Sequence, residues 1–218
     1  QDGLSSSKVF DIKQDKDGYI WCATDEGFCR FDGIAFKNYR WAFENSLDFT
    51  NQQALKIYCD ENRIYIGTNF GLLMYDVETD TYKILKNNAL QSENNLYSVH
   101  SIIKRKEGGL WIGTYGNGLI CYMPATKEVR IFKDPVLADN NITTIIEDEQ
   151  GNLFVGTKKQ GLSRYNRKEN NFTLVPYIGN EVLSVRCMSL VNDRLLVGTD
   201  GQGLKMYNPA KGELEDYT

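Results

Sequence analysis

Side chains capable of chemistry are few and scattered along the 218 residues. His100 is the single histidine, which excludes a multi-histidine metal centre and leaves one weak general-base candidate. It falls in a run expected to form an inner strand, where a hydrogen-bonded structural role is the simpler reading. Asp15-Lys16-Asp17-Gly18 opens like a calcium loop but lacks the downstream ligands, above all the closing glutamate, and reads as a tight turn. Gly113, Gly116 and Gly118 lie within a hairpin and open no helix, so they do not cradle a dinucleotide. No nucleophile elbow, zinc-protease helix or phosphate loop occurs. Lys104-Arg105-Lys106 reads as a solvated basic turn, and the sequons at Asn141 and Asn171 would matter only in a eukaryotic secretory setting. No catalytic residue, metal ligand or cofactor is therefore expected.

The elements that would position any site follow from a repeat. An apolar triplet, Gly or Ala, Thr, a short polar insert, Gly, an apolar residue and then an aromatic recur five times. The threonines, Thr24, Thr68, Thr114, Thr157 and Thr199, are separated by 44, 46, 43 and 42 residues. Each period divides into four short β-type runs joined by Gly, Asn and Asp turns, which are hairpin signals. The run ahead of each Thr, such as Leu110-Trp111-Ile112-Gly113-Thr114, is apolar at consecutive positions, so both of its faces must be buried. A four-stranded antiparallel sheet covered on both faces by copies of itself is a propeller blade, and the period fits one. The expected fold is all-β: one propeller region over residues 1–218, with five blades near 5–40, 51–86, 96–133, 140–176 and 181–218. The glycine before each Thr is expected to let inner strands approach closely, with Trp21, Tyr65, Trp111 and Phe154 filling the gaps between blades.

Composition agrees. The chain is 41% hydrophobic and 25% charged, with mean hydropathy −0.44, and no apolar run is long enough to span a membrane. Net charge −4 and pI near 5.2 remove the electrostatic footprint of a nucleic-acid binder. The opening residues, Gln1-Asp2-Gly3-Leu4, do not read as a charged-then-apolar leader. The five cysteines, Cys22, Cys29, Cys59, Cys121 and Cys187, show no C-x-x-C spacing and read as small buried hydrophobes with free thiols.

Function on such a frame belongs to its loops. The inserts after each Thr vary in composition: Asp25-Glu26, Asn69-Phe70, Tyr115-Gly116-Asn117, Lys158-Lys159-Gln160 and Asp200-Gly201-Gln202. They are expected to converge with the connections between units, notably the one carrying Trp41. The candidate ligand-binding set is Trp41, Asn69, Phe70, Tyr115, Asn117, Lys158, Lys159, Gln160, Asp200 and Gln202. Carboxylates, amides, lysines and aromatics together suit an oligosaccharide or another small ligand, whose hydroxyls need polar partners and whose C–H face stacks on rings.

The stretch from Ser6 through Val9, Asp15, Gly18 and Trp21 to Thr24, with Gly27, Arg30-Phe31-Asp32-Gly33 and Phe36, resembles the two-component regulator propeller repeat. Asn140-Asn141-Ile142-Thr143 with Asp148 and Gly151 is similar to the same repeat, as is Leu110 to Thr114. This resemblance implies the extracytoplasmic, periplasmic sensor region of a bacterial hybrid two-component histidine kinase, usually a seven-bladed propeller of which five blades are present here. It also implies a homodimeric parent and a response to glycan breakdown products. Cys22-Ala23 departs from the usual Ile-Gly, and the second and fifth copies lack the Asp-x-x-Gly turn. The expected function is a non-enzymatic ligand-sensing module. The alternatives are a propeller polysaccharide lyase or glycosidase, which needs two carboxylates or His100 with a Tyr in a deep pocket, and a protein-interaction scaffold.

Overall fold

A computed structural model describes residues 3–40, 53–85, 97–179 and 181–217. It contains five four-stranded sheets, each with its strands in chain order. The first comprises β1 (Val9–Gln14), β2 (Ile20–Thr24), β3 (Gly27–Phe31) and β4 (Phe36–Tyr39), and the second β5 (Ala54–Asp60), β6 (Arg63–Thr68), β7 (Gly71–Asp76) and β8 (Thr81–Ile84). The third comprises β9 (Ser98–Lys104), β10 (Leu110–Tyr115), β11 (Leu119–Met123) and β12 (Glu128–Phe132). The fourth has β13 (Ile142–Glu147), β14 (Leu153–Thr157), β15 (Leu162–Asn166) and β16 (Asn171–Leu174), and the fifth β17 (Val185–Val191), β18 (Arg194–Thr199), β19 (Leu204–Asn208) and β20 (Glu213–Asp216). These are propeller blades, as the repeat predicts. The chain divides into two compact units, Gln1–Ile102 and Ile103–Thr218.

In the first four blades the second strand is buried at all positions but at most one. β14 is buried at every position, whereas β16 is half-buried or exposed throughout. That burial explains why the second strand of these repeats is apolar without alternation. The first pairing is offset at the same place in four blades, between Val9 and Asp11, Ala54 and Lys56, Ile142 and Thr144, and Val185 and Cys187. A bulge here bends the strand where it leaves the loop end of the blade.

Cores form between neighbouring sheets. In the first unit Trp21, Phe28, Tyr39 and Tyr75 pack together with Ala23, Ala54, Ile57 and Ile66. In the second, one cluster joins Trp111, Leu119 and Phe132 to Leu137, Ile142 and Val155, and another joins Phe154 and Leu162 to Val185, Val197 and Tyr207. Each fully buried side chain of this size contributes about 1.5–3 kcal/mol. The glycines before threonine make the approach possible. A Cβ on Gly67 would lie 2.6 Å from Val99 Cγ1, one on Gly113 2.6 Å from Ile142 Cγ2, and one on Gly156 2.5 Å from Val185 Cγ1. The first blade carries Ala23 at this position, and the second has Ala54 where its successors have Val99, Ile142 and Val185. Both alanines are fully buried in one cluster. The added methyl on one side is matched by lost bulk on the other.

A polar network closes the outer end of the first seam. Tyr75 Oη donates to Asp80 Oδ1 at 2.5 Å, Tyr39 Oη donates to the same oxygen at 3.2 Å, and Lys37 Nζ binds Asp80 Oδ2. The Lys37 ammonium, then the Tyr75 hydroxyl, hold the Asp80 carboxyl down to about 2. Burial and these partners push the Tyr75 phenol well above its usual range. A carboxyl depressed on folding stabilises the fold above its unfolded value of 3.8 and loses that contribution as pH falls towards about 2. Asp80→Asn should therefore be less stable than the parent at pH 7, with most of the difference lost by pH 2. Half exposure of the Asp80 side chain keeps the effect modest. Denaturant midpoints of the two proteins at both pH values test this, and a gap undiminished at pH 2 would exclude the carboxylate as its source.

All five cysteines are free thiols. Cys22, Cys29 and Cys121 are buried as expected, and burial pushes the Cys22 thiol up to about 11. Cys187 corrects the expectation. It is exposed, with Gly198 beneath its sulfur and no following Val or Ile over that glycine among the described residues.

Candidate functional site on the loop rim

The repeated threonine builds the loops. Its hydroxyl donates to the carbonyl of the glycine that closes the hairpin, at 2.9 Å in Thr24, 2.8 Å in Thr68, 2.7 Å in Thr114, 3.0 Å in Thr157 and 2.7 Å in Thr199. In the first four copies the same oxygen accepts a loop N–H at 3.1–3.2 Å, from Glu26, Phe70, Asn117 and Gln160. One side chain thereby satisfies a donor and an acceptor that a short hairpin would strand.

Each insert is also tied to the segment entering the first strand of a blade. Backbone N–H groups of Asp25, Asn69, Lys158 and Asp200 donate to the carbonyls of Lys8, Gln53, Asn141 and Ser184. The inserts and the described residues that lead into the first strands therefore lie at one end of the strands, as the repeat predicts. In the first unit Asn69 is half-buried, and Phe70 enters the core cluster, where its role is packing. Trp41 lies outside the described residues.

The second unit assembles more of the candidates. Lys158 Nζ donates to Tyr115 Oη at 2.8 Å and sits 5.2 Å from the centre of that ring, joining the third and fourth inserts. Tyr115, Lys158, Lys159, Gln160 and Asp200 are exposed, and Asn117 is half-buried. Beneath them Asp139, nearly buried, accepts Lys159 N at 3.0 Å, Asn141 N at 3.0 Å and Asn141 Nδ2 at 2.9 Å. Asn140 O accepts Gly116 N and Gly118 N at 3.1 and 3.0 Å. Gln202 turns to hold its own connection, donating to Val182 O at 2.9 Å, while Asp200 pairs with Arg186 at 3.1 Å. Asp139 and Asn140 are not inserts; the signal available was their place three and two residues ahead of a first strand, where Asx side chains cap turns.

The arrangement presents a phenol ring edged by an ammonium on a fixed backbone. His100 is half-buried on β9. Among the described residues no helix is long and apolar enough to cross a membrane.

Comparison with known proteins agrees with this frame. The model of the two-component regulator propeller matches residues 3–26, 92–116 and 136–159. A histidine kinase P4 of Formosa agariphila is 56% identical over 39 residues, covering 18% of this chain and 3% of that protein. The extracellular domain ascribed to the hybrid two-component system BT3049 of B. thetaiotaomicron superposes with TM-score 0.81 at 28% identity, over 98% of this chain and 30% of that one. The domain ascribed to BT4673 of the same organism gives 0.76 at 25% identity, over 98% and 28%. The chain thus spans under a third of these relatives. A streptogramin B lyase, at 13% identity and TM-score 0.72 over 99% of this chain and 71% of that one, shares the fold.

Proposed function

We propose that this chain, built of two-component regulator propeller repeats, is the ligand-engaging part of an extracytoplasmic sensor whose loop rim binds an oligosaccharide without turning it over. Tyr115 and Lys158, joined at 2.8 Å from two blades, carry this reading. A sugar ring stacks its C–H face on the phenol, and its hydroxyls meet the Lys158 ammonium and the Gln160 amide. The backbone below is fixed by Asp139 and Asn140, so little ordering is needed on binding. In the parent receptor, the five blades belong to a larger periplasmic propeller of a homodimer anchored in the inner membrane and coupled to a histidine kinase. Ligand on the rim signals by preferring one arrangement of the two copies, which requires unequal affinity for the two arrangements. The extracellular domains ascribed to hybrid two-component systems that share the fold support this placement.

Calorimetry of the chain against a library of glycan fragments tests the reading. Binding is expected, with Tyr115→Ala and Lys158→Ala each weakening it about tenfold, the scale of one well-placed contact. Absence of binding throughout, or parental affinity in both variants, would remove the rim as the site. Release of new reducing ends by the purified chain would favour an enzyme.

A further inference from the structure

The five repeats permit a comparison of one seam with another inside a single chain. At the turn end of the first unit, β2 and β3 place Trp21 opposite Arg30, and β4 places Lys37 next to Arg30. Arg30 covers this seam, its guanidinium 4.5 Å from the Tyr19 ring and 5.8 Å from that of Trp21. Lys37, Tyr39 and Tyr75 meet on Asp80 and tie the neighbouring sheets together.

In the second unit the same register sets Trp111 opposite Cys121 and Cys121 opposite Arg130. Three filling elements are reduced. Cys121 stands where the first blade has Arg30, Phe132 where it has Tyr39, and Asn170 stands five residues beyond Tyr165 as Asp80 does beyond Tyr75. The hydroxyl and the carboxylate that closed the first seam are absent from these positions. Tyr165 still donates to Asn170 Oδ1 at 2.6 Å, but Arg130 pairs with Glu128 on its own strand at 3.0 Å. A cleft of about 290 Å³ remains.

Its lining defines the occupant. The floor is aromatic, with the Trp111, Phe132 and Tyr165 rings about 6 Å apart at 5.9–6.0 Å. On the rim Arg105 lies 4.7 Å from the Trp111 ring centre and pairs with Glu107 at 3.1 Å, facing the Arg130–Glu128 pair. Arg105 and Arg130 are balanced by Glu107 and Glu128, and Arg167, which also binds Glu107, is balanced by Glu147, so neither a cation nor an anion gains net attraction. Alternating forked donors and acceptors over a ring floor instead match a neutral molecule bearing several hydroxyls. The volume, at the lower end for small-ligand sites, admits a single ring.

We infer that the seam between the third and fourth blades is a second binding site, for one neutral sugar ring, at the turn end of the strands and so opposite the Tyr115–Lys158 rim. Saturation-transfer NMR on the chain, with glucose, galactose, xylose and glucuronate as probes, tests it. Saturation of at least one neutral sugar exceeding that of glucuronate is expected. In a Lys158→Ala background, which removes the rim's contribution, the signal should persist, and the triple variant Cys121→Arg, Phe132→Tyr, Asn170→Asp, which restores the closing groups of the first seam, should reduce it at least fivefold. Arg130→Ala, at an exposed position that does not threaten folding, should reduce it likewise. The inference is overturned if no neutral sugar is saturated, if glucuronate is preferred, or if Arg130→Ala binds as the parent does. A signal lost in Lys158→Ala but kept in the seam variants would assign all binding to the rim. Failure of the rim to bind leaves this outcome unaffected, since the two sites share no residue.

Discussion

Replacing Trp21 by alanine is expected to destabilise the protein by about 4 kcal/mol, the cost of emptying a large aromatic site in a packed core. Trp21 is fully buried and lies 5.1 Å from the Tyr75 ring and 6.0–6.1 Å from those of Tyr39 and Phe28. Its indole N–H also donates to Asp15 Oδ2 at 2.7 Å. Trp21→Phe retains most of the ring packing and loses that bond. Asp15 keeps the Asp17 and Tyr19 N–H groups as partners, so this variant should lose only about 1–2 kcal/mol. Urea midpoints at unchanged m-value separate the two contributions. Equal losses would assign the effect to the hydrogen bond, and a loss below 1 kcal/mol for alanine would deny the cluster its role.

The second large effect concerns how closely blades approach. Gly67→Ala is expected to cost about 2–3 kcal/mol, although its backbone is one that alanine adopts freely, because the new methyl meets Val99 at 2.6 Å. Val99→Ala alone leaves a cavity and costs about 2 kcal/mol. Combined, the two changes should fall short of additivity by at least 1 kcal/mol, since each removes the cause of the other's strain. The native chain contains this combination in Ala23 and Ala54. Additive losses in the double-mutant cycle would show that the glycine serves something other than approach.

These two sites also mark what the sequence can disclose. Periodicity and the unbroken apolar run before each Thr give the strands, their order and the fold class, because burying both faces leaves few alternatives. Even the last strand, weakly patterned around Leu214, forms as β20 with that leucine fully buried. Insert residues are legible by position, and Tyr115 and Lys158 do meet. Phe70 shows the limit: an aromatic in a two-residue insert looks like a contact, yet the short hairpin folds it inward. Asp139 was hidden because its partners, Lys159 N and Asn141, lie in another insert and along its own turn. The cleft beside Cys121 was hidden for a different reason. It arises from three reductions in size or charge, on β11, β12 and the turn after β15, and none of them stands out until the strands are in register.

The threonine clasp has a consequence for how such a surface can change. Because the hydroxyl closes each hairpin from within, two inserted residues at Asp25-Glu26 and three at Lys158-Lys159-Gln160 leave the same pairing below them. Exposed amino acids above the clasp, unlike the buried Phe70, are then released from the demands of folding. Evolution, or a designer, can revise the recognition surface one hairpin at a time, trading vocabulary at the tips while the grammar of the blades stays fixed.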